Sequence, residues 1–228
     1  MLKGLILKDL YEVRISILLS FVFFAYPHIL MLITPDTFIS TDTRMAQDII
    51  STMIFALLNY TTITLFSSFI LNTLSTDEKT GWSKIERTMP LSNSQIIWAK
   101  LLTIFIIVSG LVLFCITFNV IIYFMTECVL NLELLIAIPV CIGLMQTTTL
   151  SLILPLAYKL GVKRSSVLYL VLTILIAIIF IIGMFAALSN DLSVTALRLI
   201  FYVGLPILSA GSVVLSWKTG SVLCGRDL

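Results

Sequence analysis

The residues that could perform acid–base, nucleophilic or metal chemistry in this chain are few and scattered. One histidine, His28, allows no Ser/His/Asp set, and four irregularly spaced cysteines suggest neither a disulfide framework nor a zinc site. All twelve acidic residues fall at the ends of apolar runs or between them, and no two form a converging pair. We therefore expect no catalytic site, no metal site and no directly bound cofactor.

One short stretch resembles a phosphate-binding loop in its glycine spacing. Residues 220–227 read GSVLCGRD, which has the glycine spacing of such a loop but Arg226 and Asp227 where Lys and Ser or Thr are needed. No strand is predicted before it, and one residue follows it. We expect no ATPase activity in this chain.

The composition identifies the class of protein that must position the remaining polar residues. Of 228 residues 59% are hydrophobic and 11% are charged, and the mean hydropathy is +1.12, which indicates an integral membrane protein. The net charge of +2 gives no reason to expect a nucleic-acid partner. A bilayer core needs roughly 20 apolar residues per helix. Six runs of that kind lie near 15–34, 49–74, 101–125, 132–158, 167–188 and 199–217.

The basic residues predict the orientation of these six spans. With the N-terminus in the cytoplasm, twelve of the fourteen Lys and Arg residues lie inside, and Arg44 and Arg198 lie outside. Both termini should then be cytoplasmic. The first run is too long for a signal peptide and should remain in the mature protein. The sequence thus predicts an all-α, six-span, single-domain membrane protein over residues 1–228.

The spans contain few polar side chains, and for each of the most prominent ones two interpretations stay open. The absence of carboxylates within the spans argues against an ion pump or a secondary transporter, although broken helices can bind ions through backbone groups. His28 is either a substrate contact or a side chain bonded near the Pro27 kink. Gln146 and Thr148 either line a pathway or bond across helices. Ser212, Ser216 and Gly220 would permit close helix contact in the sixth span.

The first fourteen residues predict an amphipathic helix at the cytoplasmic membrane surface. Leu2, Leu5, Ile6 and Leu10 recur at helical spacing with Val13, while the neighbouring basic residues lie mostly off that face. The alternative is an ordinary inward extension of the first span.

The polar segment 75–100 joins the second and third spans on the cytoplasmic side. Trp82, Ile85 and Met89 form one apolar stripe of a short helix that ends at Pro90. The polar residues Lys84, Glu86 and Arg87 face elsewhere.

A defined helix start follows this short helix. Ser92 and Gln95 can cap each other, Leu91 can pack on Ile96, and Lys100 is expected to reach the lipid headgroups. These features predict a rigid lever between two spans; the alternative is a solvated loop.

The segment DEKTGWSKIERTMPLSNSQIIWAK, from Asp77 to Lys100, resembles the region between the second and third spans of ABC-2-type permeases. The opening KGLILKDLY, Lys3 to Tyr11, is similar to the interfacial elbow helix of the same subfamily. Within this family, the sequence most resembles the permeases by which Bacillota export amphipathic peptides, such as the phenol-soluble-modulin exporters. The outer connection 189–195 is short, unlike the elaborated outer regions of the sterol and polysaccharide branches.

This resemblance implies a permease subunit in a bacterial plasma membrane, paired with a second copy or a paralogue. Two cytosolic ATPase subunits, which carry ATP-Mg, would dock on the short helix of segment 75–100, called the coupling helix. The expected docking residues are Trp82, Lys84, Ile85, Glu86, Arg87 and Met89. Two other functions remain possible: a non-transporting immunity or sensor partner, and an ATP-independent carrier.

Overall fold

The residues that the structure describes are almost all helical. In the computed structural model these are residues 3–15, 18, 44–82, 85, 88, 90–126, 132–189 and 203–224. The helices are α1 (3–15), α2 (Arg44–Ser67), α3 (Phe69–Thr80), α4 (Asn93–Thr126), α5 (Leu132–Leu160), α6 (Val162–Ser189) and α7 (Leu205–Cys224). The all-α prediction is confirmed for this part of the chain.

Within the described residues, four helical segments are long and apolar enough to cross a membrane. They are Phe55–Thr80, Asn93–Ile121, Leu135–Leu160 and Val162–Ile179. They overlap the second to fifth predicted spans, and α7 overlaps the sixth. Of the predicted first span, 15–34, only residues 15 and 18 are described. His28 lies outside the described residues.

The helices on either side of the polar segment extend beyond the predicted span ends at 74 and 101. α3 continues to Thr80, where the left-handed Gly81 (φ 71°) ends it. α4 begins at Asn93, and its 34 residues extend about 50 Å at 1.5 Å each, well beyond a 30 Å bilayer core. Ser92 N–H donates to Gln95 Oε1 (3.0 Å), and Gln95 N–H donates to Ser92 Oγ (3.3 Å). The predicted capping box is confirmed.

Side-chain pairs show that α4 runs antiparallel to α2 and α3. Lys100 near the start of α4 bonds Asp77 near the end of α3, whereas Asn119 bonds Asn59 in α2. Gly161 alone connects α5 to α6, and its positive φ of 82° allows the sharp reversal.

One end of the bundle, which we call the base, gathers the ends of most helices. It contains α1, the end of α3, the start of α4 and the α5–α6 turn, which side-chain bonds join to one another. α7 also reaches it, because Trp217 Nε1–H donates to Ser94 Oγ (2.7 Å) and the Trp217 ring lies 5.9 Å from that of Trp98.

The small residues of α7 lie at close helix contacts, as their spacing predicts. Ser212, Ser216 and Gly220 are buried. A Cβ atom on Gly220 would lie only 3.2 Å from the Cδ1 atom of Ile97 in α4. α7 packs mainly on α5 and α4.

Candidate functional site

The most concentrated polar chemistry in the described residues lies at the base, where α3 ends in adjacent carboxylates. Asp77 is 3% exposed, and its Oδ2 accepts a hydrogen bond from Lys100 Nζ at 2.7 Å. Its Oδ1 accepts one from Lys8 Nζ. Asp77 therefore joins the end of α3 to both α1 and α4.

Lys100 is buried, not extended to the headgroups, so that expectation was wrong. It is 4% exposed, and besides Asp77 it donates to Asp9 Oδ1 at 3.0 Å. A buried ammonium needs anionic partners because desolvation otherwise costs several kcal/mol. Asp9 and Asp77 supply two, and they come from segments distant in the sequence.

Lys8 completes this group at its more exposed side. Its Nζ lies 3.4 Å from Glu12 Oε1 and 3.6 Å from Asp9 Oδ1, in addition to its bond with Asp77. We call Lys8, Asp9, Glu12, Asp77 and Lys100 the charge cluster. It contains three carboxylates and two ammonium groups, and within the described residues Asp9 Oδ2 is buried without a hydrogen-bond partner.

The second carboxylate of α3, Glu78, binds a different element. Its Oε2 accepts a hydrogen bond from the backbone N–H of Val162 at 3.2 Å, at the first residue of α6. A carboxylate is favourable there because unpaired N–H groups and the helix dipole make a helix N-terminus positive. The adjacent acids of α3 thus link it to three helices, α1, α4 and α6.

The predicted coupling helix begins beside the charge cluster. Trp82 follows Gly81 and is partly buried, with Lys8 Nζ 4.9 Å from its ring centroid, within cation–π range. Ile85 is 47% exposed, so an apolar side chain faces outward near the base. The other predicted docking residues, Lys84, Glu86, Arg87 and Met89, lie outside the described residues.

The predicted apolar face of α1 packs on the bundle. Leu5 is buried, Ile6 is partly buried and Leu10 packs against the core, while Leu2 lies outside the described residues. Contact of α1 with a membrane surface stays a prediction. The sequence interpretation overlooked Asp9, although its position between Leu5 and Val13 at four-residue spacing places a carboxylate on the buried face.

The polar side chains inside the spans bond to neighbouring helices. Gln146 is 1% exposed; its Nε2 donates to Thr64 Oγ1 (2.7 Å), and its Oε1 accepts from Tyr169 OH (3.1 Å). Thr148 bonds the Leu144 carbonyl within α5. These bonds match the packing alternative, and a pathway role stays a prediction.

A second interhelical amide contact escaped the sequence interpretation. Asn119 Nδ2 donates to Asn59 Oδ1 (3.3 Å) and to the Leu135 carbonyl (3.0 Å), joining α4 to α2 and α5. The signal that could have predicted this contact is that Asn59 and Asn119 each lie within a long apolar run, where a buried amide needs a hydrogen-bond partner. In the described part of the chain, no three His, Cys, Asp or Glu side chains are grouped to hold a metal ion.

Searches of curated proteins and of solved structures each returned no match. In the comparison with protein families, residues 4–219 match the family described as ABC-2 family transporter protein. This match covers nearly all of the chain, including α1, the polar segment and the charge cluster, and a membrane component of this kind works with ATPase partners. The chain therefore belongs to the ABC-2 transporter family.

Proposed function

We propose that this chain is the permease subunit of an ATP-driven exporter in a bacterial plasma membrane. It pairs with a second permease copy or paralogue. Two cytosolic ATPase subunits bind and hydrolyse ATP-Mg, and this chain has no catalytic site of its own. The cargo class is amphipathic peptides or other hydrophobic compounds, for which the sequence resemblance is the support.

The observation that carries this proposal is the attachment at the base of residues 82–89, which contain the predicted docking residues and which we call the coupling segment. Trp82 comes two residues after α3, and the last turn of α3 is linked through Asp77 and Glu78 to α1, α4 and α6. A displacement at Trp82 would thus be transmitted to several helices. The ATPase can shift the permease only by the difference in its contact free energy between two states.

The arrangement of helix ends supports six spans with both termini in the cytoplasm. α1 lies at the base, whereas about 50 Å of helix separates Arg44 from Asp77 at 1.5 Å per residue. α1 and the first residue of α2 therefore lie at opposite ends of the described bundle, which supports a first span between them. α7 ends at the base with Trp217 close to Ser94.

Substitution of Trp82 tests the coupling assignment. Trp82→Ala removes the largest apolar side chain of the segment. We expect reduced co-purification of the ATPase subunits, or ATP hydrolysis without export, because aromatic anchors provide much of the free energy of protein interfaces. Membrane insertion and yield should stay at the native level. The measurements are pull-down of the ATPases and export assays in proteoliposomes.

Trp98→Ala is the matched control, since Trp98 is a partly exposed tryptophan at the base that lies in α4, beyond the coupling segment 82–89. It should retain ATPase association. Native association and export in Trp82→Ala would contradict the assignment. If native permease recovered no ATPase, the sensor alternative would be favoured, and transport without ATP would favour the carrier alternative.

A further inference from the structure

The coupling segment and α1 meet at Lys8. Its ammonium group bonds Asp77, near the end of α3, and lies 4.9 Å from the Trp82 ring centroid. Left-handed Gly81 separates α3 from Trp82. Lys8 therefore contacts both the end of α3 and the first aromatic residue beyond it.

Lys8 also has a second set of acceptors on its own helix. Glu12 Oε1 lies 3.4 Å away and Asp9 Oδ1 lies 3.6 Å away. The other oxygen of Asp9 is buried and accepts no hydrogen bond from the described residues. Lys8 thus already lies within ion-pair distance of these anionic oxygens of α1, and a small rotation of its flexible four-carbon stem would bring it closer to them.

The two lysines of the charge cluster differ in their freedom to move. The side chain of Lys100 is 4% exposed and bonds both Asp9 and Asp77 at 3.0 Å or less, whereas that of Lys8 is 22% exposed. Lys100 is thus suited to hold α1, α3 and α4 together. Lys8, at the rim, is suited to exchange partners.

We propose that Lys8 is a positioning residue with two arrangements, which regulates how the coupling segment is held. In the first arrangement, which the structure shows, it bonds Asp77, faces Trp82 and lies near Glu12 and Asp9; in the second it exchanges the bond to Asp77 for closer bonds to Glu12 and Asp9 and releases Trp82. Lys100 keeps the three helices together in both. This inference rests on the proposed function, because it assigns the exchange to movement of the coupling segment by the ATPases. A two-state contact of this kind is what allows a displacement at one site to shift an equilibrium elsewhere.

The experiment measures the distance between α1 and the coupling segment. Spin labels are placed at Leu7→Cys and Thr88→Cys, which are both exposed positions, in the full chain with its four natural cysteines replaced by serine. Distances are recorded in nanodiscs for the permease alone, then for the complex with a non-hydrolysable ATP analogue. The native chain should give a narrow distribution that shifts to a second distance with the analogue.

Lys8→Met should lose both the narrow distribution and the shift, and transport per ATP should fall about tenfold, equivalent to about 1.4 kcal/mol. Lys8→Arg keeps the charge and the contact with the ring, and should retain the narrow distribution and the shift. Lys79→Met, an exposed lysine on α3, is the matched control and should behave like the native chain. Glu12→Gln should keep the first distance but lose the shift, which tests the second arrangement if Lys8→Met does not fold.

A Lys8→Met chain with the native distribution and shift would overturn the inference. So would a native chain that keeps one distance in both conditions while still binding the ATPases. Failure of the native chain to bind ATPases overturns the proposed function instead. In that case the distribution in the permease alone still decides whether Lys8 positions the coupling segment.

Discussion

At the scale of single residues, the charge cluster shows how burial changes the role of an ordinary basic side chain. Lys100 was expected at the membrane surface, yet it is buried between Asp9 and Asp77. A buried ion pair adds little net stability compared with apolar packing, but removal of one partner leaves a charge uncompensated. The buried members of the cluster, Asp9, Asp77 and Lys100, should therefore be intolerant of substitutions that remove a charge.

Lys100→Met tests this intolerance. It removes the buried cation that Asp9 and Asp77 share and leaves them only the more exposed Lys8, so we expect the free energy of unfolding to fall by about 3–5 kcal/mol. Measurement by steric trapping or by thermal unfolding in detergent is suitable. Lys79→Met removes an exposed charge and should change the free energy of unfolding by less than about 0.5 kcal/mol.

The double variant Asp77→Asn with Lys100→Met should recover part of the loss, because it removes both charges of one pair. Equal stability of Lys100→Met and the native chain would show that the cluster is not a structural ion pair.

At the scale of helices, close packing depends on residues that lack a side chain. A Cβ atom on Gly143 in α5 would lie 2.3 Å from Val112 Cγ2 and 3.6 Å from Val108 Cγ1, both in α4. The branched valine side chain has few alternative rotamers in a helix. Gly143 therefore sets the separation of α4 and α5, as small residues do at membrane helix interfaces.

Gly143→Ala should lower the free energy of unfolding by about 1–3 kcal/mol through overpacking. Gly110→Ala in α4 is the matched control, since nothing lies within 4 Å of its added Cβ, and it should cause no loss. The combination with Val112→Ala should relieve the clash. Gly143→Ala, Gly110→Ala and the double variant are compared by thermal unfolding of the purified permease in one detergent. Native stability of Gly143→Ala would contradict the close contact of Gly143 with Val112.

At the scale of the whole molecule, the base collects the ends of α1, α3, α4, α6 and α7 in one place. Positions near these ends should thus face the same side of the membrane. The distribution of basic residues predicts that this side is the cytoplasmic one.

Labelling of single cysteines tests this orientation. In an otherwise cysteine-free chain, Lys79→Cys, Lys163→Cys and Lys218→Cys should react with a membrane-impermeant thiol reagent only after the cells are permeabilised. Arg198→Cys, in a predicted outer connection, should react in intact cells. Reaction of the base positions from outside would reverse the orientation, and a mixed pattern among them would contradict a common base.

Local patterns in the sequence were sufficient to predict the helices, the overlap of the described helices with five of the six predicted spans, and the Ser92–Gln95 capping box. Each depends on residues within one helix or one turn, where hydrophobic periodicity and capping chemistry act directly. They also placed Leu5 and Leu10 on one face of α1. The docking roles of Trp82 and Ile85 remain predictions at this level.

Only the tertiary structure decided the partner of each charge. Asp77 and Glu78 are adjacent and chemically alike, yet one bonds Lys8 and Lys100 and the other bonds the N–H of Val162. Those partners lie 69, 23 and 84 residues away, so no local periodicity indicates them. Which helices become neighbours determines where a buried charge finds its counterion, and that is a property of the packed bundle.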